Sequence, residues 1–222
     1  KNTMDVMYTL DRRVRTFAID NAADYRAVNV QEYKPGFFEF DLKEWDTNEL
    51  GHIRLAVPGR HNIYNALAMC AVCRSVGLTV EECANAALNF KGAGRRFEVY
   101  GECNGAVVVD DYAHHPRELA ATLTSVRKMF PGRRITALFQ PHLYTRTRDL
   151  HAEFAEALSH ADEVVLLPIY PAREEPIPGI TSEIIARRVA APCRIVDRDH
   201  LADEVAAMDT DVVISFGAGN ID

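Results

Sequence analysis

The first part of the chain alternates short apolar runs with polar turns. Four stretches rich in β-branched and aromatic residues favour β-strands, and the polar segments between them favour turns. The sequence Lys34-Pro35-Gly36 separates two of these stretches and predicts a hairpin turn. The four predicted strands cover residues 14–19, 25–33, 37–42 and 52–57.

Two helices are predicted after the break at Val57-Pro58-Gly59, over residues 61–76 and 80–89. Gly77 follows the first of them, where a glycine commonly ends a helix. The next segment, Lys91-Gly92-Ala93-Gly94-Arg95-Arg96, has the composition of a flexible, basic connector. We therefore divide the chain into a first domain over residues 1–97 and a second domain over residues 98–222.

The second domain alternates buried-strand runs with amphipathic helical segments. This alternation predicts an α/β fold with a parallel, Rossmann-like sheet covered by helices on both faces. Ligands of such sheets gather beyond the carboxyl ends of the strands, which directs attention to the loops at 110–116, 140–148 and 170–179. The predicted strands are 106–110, 135–139, 163–169, 193–196 and 212–216, and the predicted helices are 116–129, 147–160, 181–190 and 200–208.

Composition excludes several classes of protein. The 222 residues include 25 basic and 32 acidic side chains, a net charge of −7 that argues against non-specific nucleic-acid binding. Hydrophobic residues make up 48% and charged residues 26%, as in ordinary globular proteins. No apolar run approaches the ~20 residues of a membrane span, and no signal-peptide pattern opens the chain. We expect a cytoplasmic protein without nucleic-acid or membrane partners.

The five cysteines are an odd number, which favours reduced thiols over a disulfide framework. Cys70 and Cys73 form a C-x-x-C pair inside the predicted helix 61–76. Their spacing places both on one apolar face, so core packing is favoured over metal or redox chemistry.

No Walker sequence for binding phosphates occurs in the chain. The segment Gly217-Ala218-Gly219-Asn220 follows a predicted strand but is not a complete dinucleotide fingerprint. We interpret it as a tight turn, with direct ligand contact as the less favoured alternative.

Two carboxylates, an aromatic ring and two imidazoles follow the strand at 106–110, in Asp110-Asp111-Tyr112-Ala113-His114-His115-Pro116. Acidic side chains at a strand end suit a ribose hydroxyl or a divalent metal, and histidine can donate or accept a proton near neutral pH. The alternative is that one aspartate caps the following helix and the histidines lie on the surface. So many such residues at one corner favour a functional site.

The loop after the strand at 135–139 presents His142, Arg146 and Arg148. Planar guanidinium groups bind carboxylates or phosphates through two hydrogen bonds, so this loop is predicted to hold an anion. The alternative is a surface pair between Arg148 and Asp149. The proline-rich loop 170–179 is equally well interpreted as a rigid surface turn.

Asn62 and Asn65 lie three residues apart at the start of the helix 61–76, and so share a face. A carboxamide can pair with the donor and acceptor edge of adenine. The alternative, capping of the helix by Asn62, would explain only one of the two residues.

Taken together, these segments resemble the Mur ligases of peptidoglycan synthesis. The resemblance runs from about residue 14 to residue 220, and the Gln-Pro-His and Thr-Arg-Thr-Arg-Asp segments resemble the alanine-adding branch. The motifs are, in order, Pro58-Gly59-Arg60-His61-Asn62-Ile63-Tyr64-Asn65, Gly92-Ala93-Gly94-Arg95-Arg96-Phe97, Asp110-Asp111-Tyr112-Ala113-His114-His115-Pro116, Phe139-Gln140-Pro141-His142, Thr145-Arg146-Thr147-Arg148-Asp149 and Ile177-Pro178-Gly179.

The resemblance implies an ATP- and Mg²⁺-dependent ligase that joins L-alanine to UDP-N-acetylmuramate through an acyl phosphate. A full ligase has three domains, so we expect this chain to hold the tail of the central ATP-binding domain and most of the C-terminal domain. Such a fragment is expected to lack the phosphate loop and most Mg²⁺ ligands, and to be inactive alone.

The resemblance also assigns roles to individual residues. Asn62 and Asn65 would bind adenine, and Asp111 would bind the ribose. Tyr112 would line the nucleotide pocket. Arg96 would meet the ATP phosphates, with Arg95 a weaker candidate. His114, His142 and Arg146 would surround the alanine and the nascent amide. Closure of the two domains would bring these groups to a shared cleft.

Two positions depart from the family pattern: many relatives have an arginine in place of Leu143, and some have a glycine in place of Ala113. The first departure leaves Arg146 as the surer carboxylate ligand. Two other functions remain open: a ligase of the same family that adds a whole tripeptide, and a non-catalytic nucleotide-binding domain.

Overall fold

The computed structural model describes residues 11–12, 14–45, 47 and 50–221. The chain divides into two compact units between Lys91 and Gly92. Each unit has its own β-sheet and its own hydrophobic core.

The first unit is a four-stranded sheet with two helices. The sheet order is β1-β2-β3-β4, in which β1 runs parallel to β2 and the other pairs are antiparallel. The strands are β1 (Phe17–Ala18), β2 (Tyr25–Lys34), β3 (Phe37–Glu44) and β4 (Leu50–Arg54), and the helices are α1 (His61–Ser75) and α2 (Val80–Asn89). The predicted hairpin turn at Lys34-Pro35-Gly36 connects β2 to β3.

Two strands of this unit differ from their predicted bounds. The strand predicted at 14–19 is reduced to two residues, because Thr16 uses its backbone N–H to bind the Asp24 carboxylate at 2.7 Å. The strand predicted at 52–57 begins at Leu50 and ends at Arg54, shortly before the chain turns at Pro58.

Alternation along β3 builds the core of the first unit. Phe38, Phe40 and Leu42 point inward and pack with α1, where Cys70 is fully buried and Cys73 lies against the same cluster. This agrees with core packing of the C-x-x-C pair, and burial raises the pKa of Cys70 to about 12. Trp45 lies outside the core, with 78% of its surface exposed.

The second unit contains a six-stranded sheet in the order β5-β6-β10-β7-β8-β9. All neighbouring strands are parallel except β5, which pairs antiparallel with β6. The strands are β5 (Glu98–Cys103), β6 (Ala106–Asp111), β7 (Ile135–Phe139), β8 (Glu163–Leu166), β9 (Cys193–Ile195) and β10 (Val212–Phe216). β5 was not predicted, since it is an exposed edge strand without an apolar alternation.

Helices cover both faces of this sheet. One face packs against α3 (Pro116–Met129), α4 (Tyr144–Leu158) and α5 (Glu183–Ala186), and the other packs against α6 (Leu201–Ala206) after a 3₁₀ turn at Arg198–His200. The predicted α/β architecture is therefore confirmed. None of the helices in the described part of the chain is long and apolar enough to cross a bilayer.

Three helices of this unit differ from the sequence prediction, and the one predicted at 200–208 spans only Leu201–Ala206. α4 begins at Tyr144 rather than Thr147. The helix predicted at 181–190 is only four residues long. The Ala190 N–H donates to Ser159 Oγ at 3.0 Å, and Pro192 follows closely, so the helical hydrogen bonds do not continue.

Candidate functional site

The loops that follow β6, β7 and β8 begin at the same edge of the sheet. The loops after β7 and β8 are joined directly, because His142 and Tyr170 form an isolated parallel bridge. The Leu143 N–H donates to the Tyr170 carbonyl at 3.0 Å, and the Tyr170 N–H donates to the Pro141 carbonyl at 2.8 Å. This backbone pairing holds both loops in one position.

A row of four rings links these loops. The Tyr112 and His114 rings lie 5.4 Å apart, and the His114 and His142 rings lie 6.1 Å apart, both edge to face. His142 stacks on Tyr170 with 5.7 Å between centroids and 16° between planes. The structure thus brings His114 and His142 together, as the sequence indicated.

Arg146 and Arg148 lie on α4 and not on a loop, which corrects the prediction of a single loop carrying both arginines and His142. Leu143, with φ 73°, turns the chain into this helix. Arg148 is exposed and pairs with Asp149 at 2.7 Å, as the surface alternative predicted. Arg146, two residues earlier, points differently and is partly buried.

Three buried polar atoms near this edge have no hydrogen-bond partner among the described residues: Arg146 Nη1, His142 Nδ1 and Gln140 Oε1. Buried polar atoms are normally paired, so unpaired ones in a cluster indicate a place for a ligand. Burial lowers the pKa of His142, and the charges of Arg146 and His114 lower it further, against a smaller opposing effect of Glu174. A neutral imidazole beside an unpaired guanidinium suits a carboxylate ligand with an amine nearby.

The loop 170–179 supports α4. Glu174 accepts hydrogen bonds from the hydroxyl and the backbone N–H of Thr145, the latter at 2.9 Å. These bonds and one from the Tyr144 backbone lower the pKa of Glu174. The loop therefore holds the first turn of the helix that carries Arg146.

Asp110 and Asp111 have different environments at the end of β6. Asp110 is fully buried and paired with Arg95 at 2.9 Å. Asp111 accepts the N–H groups of Ala113 and Phe97 at 2.8 and 3.1 Å, and it is 6% exposed. Burial raises the pKa of Asp111, although these hydrogen bonds and the charge of Arg96 act in the opposite direction. Asp111 is thus largely enclosed by its own loop together with the segment that precedes β5.

Arg95 and Arg96, the two candidates for binding the ATP phosphates, differ in whether their guanidinium groups already have partners. Both guanidinium groups lie 5.3 Å from the centre of the Tyr112 ring. Arg96 is exposed and makes no ion pair within the described residues, so it is available for an anion. Arg95 is occupied by hydrogen bonds inside the unit.

The tautomer of His114 is set by its neighbours. Since a carbonyl can only accept, His114 Nδ1 donates to the Tyr112 carbonyl at 2.9 Å, and in the neutral ring the lone pair is therefore on Nε2. The helix α3 is capped by the His115 side chain together with Glu118, so the alternative that an aspartate caps it is wrong.

In the first unit, Asn62 and Asn65 share a face of α1 as predicted. Asn65 Nδ2 donates to Asn62 Oδ1 at 2.8 Å, and Asn62 Nδ2 donates to the Pro58 carbonyl at 2.7 Å. The N-cap position is Arg60, without a side-chain cap, so Asn62 does not cap this helix. Each carboxamide orients the other, and the exposed Asn65 keeps polar groups for a ligand.

Sequence reasoning missed three residues of the second unit that shape this edge: Gln140, Tyr170 and Glu174. Gln140 directly follows β7 and stands two residues before His142, and Tyr170 lies four residues beyond the end of β8. Their positions relative to strand ends were available signals. The contact of Glu174 with Thr145 spans 29 residues and has no local signature.

Comparisons with known proteins agree with this architecture. A UDP-N-acetylmuramate–L-alanine ligase of Lawsonia intracellularis is 47% identical over 180 residues, which cover 78% of this chain and 40% of the relative. The ligase of the same name from Trichlorobacter lovleyi is 39% identical over 228 residues, covering 100% of this chain and 50% of the relative. The chain spans about half the length of the curated relatives it matches.

A solved structure is also similar. The UDP-N-acetylmuramate-alanine ligase MurC of Thermotoga maritima superposes with a TM-score of 0.74 at 27% identity, covering 93% of this chain and 45% of that one. Residues 1–73 match the family model of the Mur ligase middle domain, and residues 95–219 match that of the Mur ligase, glutamate ligase domain. The resemblance inferred from the motifs is confirmed, and the chain belongs to the Mur ligase family.

Proposed function

We propose that this chain is part of an ATP-dependent ligase that adds L-alanine to UDP-N-acetylmuramate in the cytoplasm, during peptidoglycan synthesis. The names of these similar relatives support this assignment. The Thr-Arg-Thr-Arg-Asp segment favours free alanine over a whole tripeptide as the added group.

The observation that carries the proposal is the pair of unpaired buried atoms Arg146 Nη1 and His142 Nδ1. An amino-acid carboxylate would satisfy the guanidinium through charge-assisted hydrogen bonds, which are roughly twice as strong as neutral ones. Fixing the carboxylate places the amine of the same small molecule within reach of the surrounding imidazoles. Arg146 is therefore the proposed ligand of the alanine carboxylate.

The reaction transfers the γ-phosphoryl group of ATP to the sugar carboxylate, and the amine then displaces phosphate from the acyl phosphate. An ammonium group must lose a proton before it attacks. His142, kept neutral by its surroundings, and the free Nε2 of His114 are the proposed groups around the amine and the nascent amide. Positioning by these side chains supplies much of the rate in such a step.

The nucleotide contacts are proposed for the remaining candidates. Asn62 and Asn65 form a pre-oriented carboxamide pair that fits the edge of adenine. Arg96, exposed beside Tyr112, fits the ATP phosphates. Asp111 Oδ1 accepts one hydrogen bond among the described residues, from the Ala113 N–H, and its second lone pair fits a ribose hydroxyl.

Magnesium fits less well to the residues at hand. The described residues include no group of three or more His, Cys, Asp or Glu side chains arranged to hold a metal ion. We place the Mg²⁺ ligands mainly in the part of the ligase outside this chain, and we assign no metal-dependent step to its residues.

The test is the substitution Arg146→Ala in the full-length ligase, with Arg148→Ala as the matched control on the same helix. Loss of a charge-assisted bond worth about 1.5–3 kcal/mol raises KM for L-alanine roughly 10- to 100-fold, with KM for ATP nearly unchanged. Arg148→Ala should leave both values near those of the parent. Equal weakening of ATP and alanine by Arg146→Ala would refute the assigned role.

The isolated chain is expected not to turn over ATP with the sugar nucleotide and alanine, because it has no Walker sequence. Robust turnover by the chain alone would contradict the proposal. Strong, magnesium-independent ATP binding by the chain in calorimetry would instead favour a nucleotide-binding module.

A further inference from the structure

The Arg95 guanidinium is the centre of a buried network within the second unit. Its Nε donates to Asp110 Oδ2 at 2.9 Å, Nη1 donates to the Gly219 carbonyl at 3.1 Å, and Nη2 donates to the Gly217 carbonyl at 2.9 Å. Asp110 also accepts the Ser215 hydroxyl at 2.5 Å. One side chain thus joins the start of the second unit to the loop that follows β10.

The backbone of Arg95 is held as firmly as its side chain. Arg95 has a φ of 57°, a left-handed conformation unusual for a residue with a side chain. Its N–H donates to Glu98 at 2.7 Å, and its carbonyl accepts the Tyr112 N–H at 2.6 Å. These backbone contacts fix the position of the Arg95 Cα, from which the side chain extends to its partners.

The loop that Arg95 holds packs against the proposed amino-acid site. A Cβ on Gly219 would clash with Gln140 Oε1 and approach Tyr170 Cγ to 2.9 Å, so the backbone lies directly on both side chains. Gln140 Nε2 donates to Asn220 Oδ1 at 3.3 Å. The Tyr170 ring also stacks on His142.

We propose that Arg95 is a positioning residue, which clamps the loop 217–220 against Gln140 and Tyr170 and thereby fixes the orientation of His142. The inference rests on the proposed function only in the role it gives His142 in the reaction. The contacts themselves are independent of the substrate.

The geometry requires arginine in particular. A planar guanidinium presents N–H groups in several fixed directions, and three of them are used here toward one carboxylate and two carbonyls. A lysine could keep the pairing with Asp110 but cannot span the two carbonyls in the same way. Arg95→Lys therefore removes the hydrogen bonds to the two carbonyls while it keeps the positive charge.

The test follows the His142 imidazole by NMR during a pH titration of this chain. Arg95→Lys keeps the local charge, so the groups that act on His142, namely Arg146, His114 and Glu174, are unchanged. The double variant Arg95→Gln/Asp110→Asn removes both charges together, which avoids leaving a buried carboxylate unpaired if the lysine variant fails to fold.

Arg127→Lys is the matched control. Arg127 also binds one carboxylate and two backbone carbonyls, those of Asp162, Arg133 and His160, but near the opposite ends of the strands. Both Arg95→Lys and Arg127→Lys are expected to lower the stability of the second unit, because each removes hydrogen bonds to two backbone carbonyls. Only Arg95→Lys should move the His142 resonance and shift its titration midpoint toward the ordinary imidazole value.

Unchanged His142 resonances in the folded Arg95 variants would overturn the proposal, as would an equal shift in Arg127→Lys. In the full-length ligase, Arg95→Lys should raise KM for L-alanine about tenfold or more through misplacement of the site, with a smaller effect on KM for ATP. If the His142 resonance shifts in Arg95→Lys but KM for L-alanine does not change, the positioning role of Arg95 stands. That result would refute only the role that the proposed function gives His142.

Discussion

Glu174 affects two neighbouring parts of the site. It accepts the Thr145 N–H and hydroxyl at the start of α4, where a negative charge is favourable. Its charge also opposes, in part, the lowering of the pKa of His142 by burial and by the charges of Arg146 and His114. One carboxylate therefore both stabilises the helix that carries Arg146 and influences the protonation of the imidazole beside it.

We predict that Glu174→Gln lowers the stability of the second unit in a pH-dependent way. The folded-state pKa of Glu174 lies below its ordinary value of 4.5, so its charge stabilises the fold above that pH. The contribution is lost as the pH falls through the lower, folded-state pKa. Urea unfolding at pH 7 and pH 3 measures the difference between variant and parent.

Glu175→Gln is the control, since Glu175 is exposed and its substitution removes one negative charge, as Glu174→Gln does. A Glu174→Gln effect of equal size at both pH values would contradict the prediction. The variant should also titrate His142 at a lower pH than the parent.

Sequence reasoning at the residue scale identified groups but not their partners. The proximity of His114 and His142 followed from strand ends that share one edge of a parallel sheet. The enclosure of Asp111 did not, because its donors include Phe97, 14 positions earlier in the chain. The part played by Arg95 depends on carbonyls more than 120 residues away.

At the scale of elements, α2 has a complete capping box. Thr79 Oγ1 accepts the Glu82 N–H at 3.1 Å, and Glu82 accepts the Thr79 N–H at 2.7 Å. Without this cap, backbone donors of the first turn would depend on water alone. The cap agrees with the predicted start of this helix at Val80.

We predict that Thr79→Ala destabilises the first unit by about 1 kcal/mol, the usual cost of losing such a cap. Thr124→Ala is the matched control, since Thr124 is an exposed threonine inside α3 whose hydroxyl donates to the Ala120 carbonyl of the same helix. Alanine favours a helix interior, so the control should be neutral or slightly stabilising. A similar loss in both variants, measured by denaturant unfolding, would contradict the role of the cap.

Elements with strong apolar periodicity were predictable to the residue, as with α2, α3, β7 and β10. Elements whose formation or length depends on contacts with another segment could not be predicted from their own sequence. β5 forms because β6 offers an open edge, while its own residues carry no buried pattern. α5 ends early because Ser159, on another segment, takes the N–H of Ala190.

At the scale of the whole molecule, the two units have separate cores. Phe154 is fully buried in the second unit, 5.0 Å from the Phe139 ring, and Phe40 is fully buried in the first. Each core is built from residues of its own unit. Cooperative unfolding is therefore expected to follow the same division.

We predict that Phe154→Ala costs the second unit about 3–5 kcal/mol through cavity formation. Amide exchange should accelerate in β6 and β7 while the protection of β2 and β3 persists. Phe40→Ala should give the reverse pattern. Accelerated exchange in both sheets from either substitution would mean that the two units unfold as one.

The position of Trp45 limits how such unfolding can be observed. It is the only tryptophan in the chain, it belongs to the first unit, and the residue is 78% exposed in the folded state. An indole already surrounded by solvent changes its emission wavelength little when the polypeptide unfolds. Fluorescence melting curves would report weakly on the first unit and not at all on the unit that carries His114 and His142.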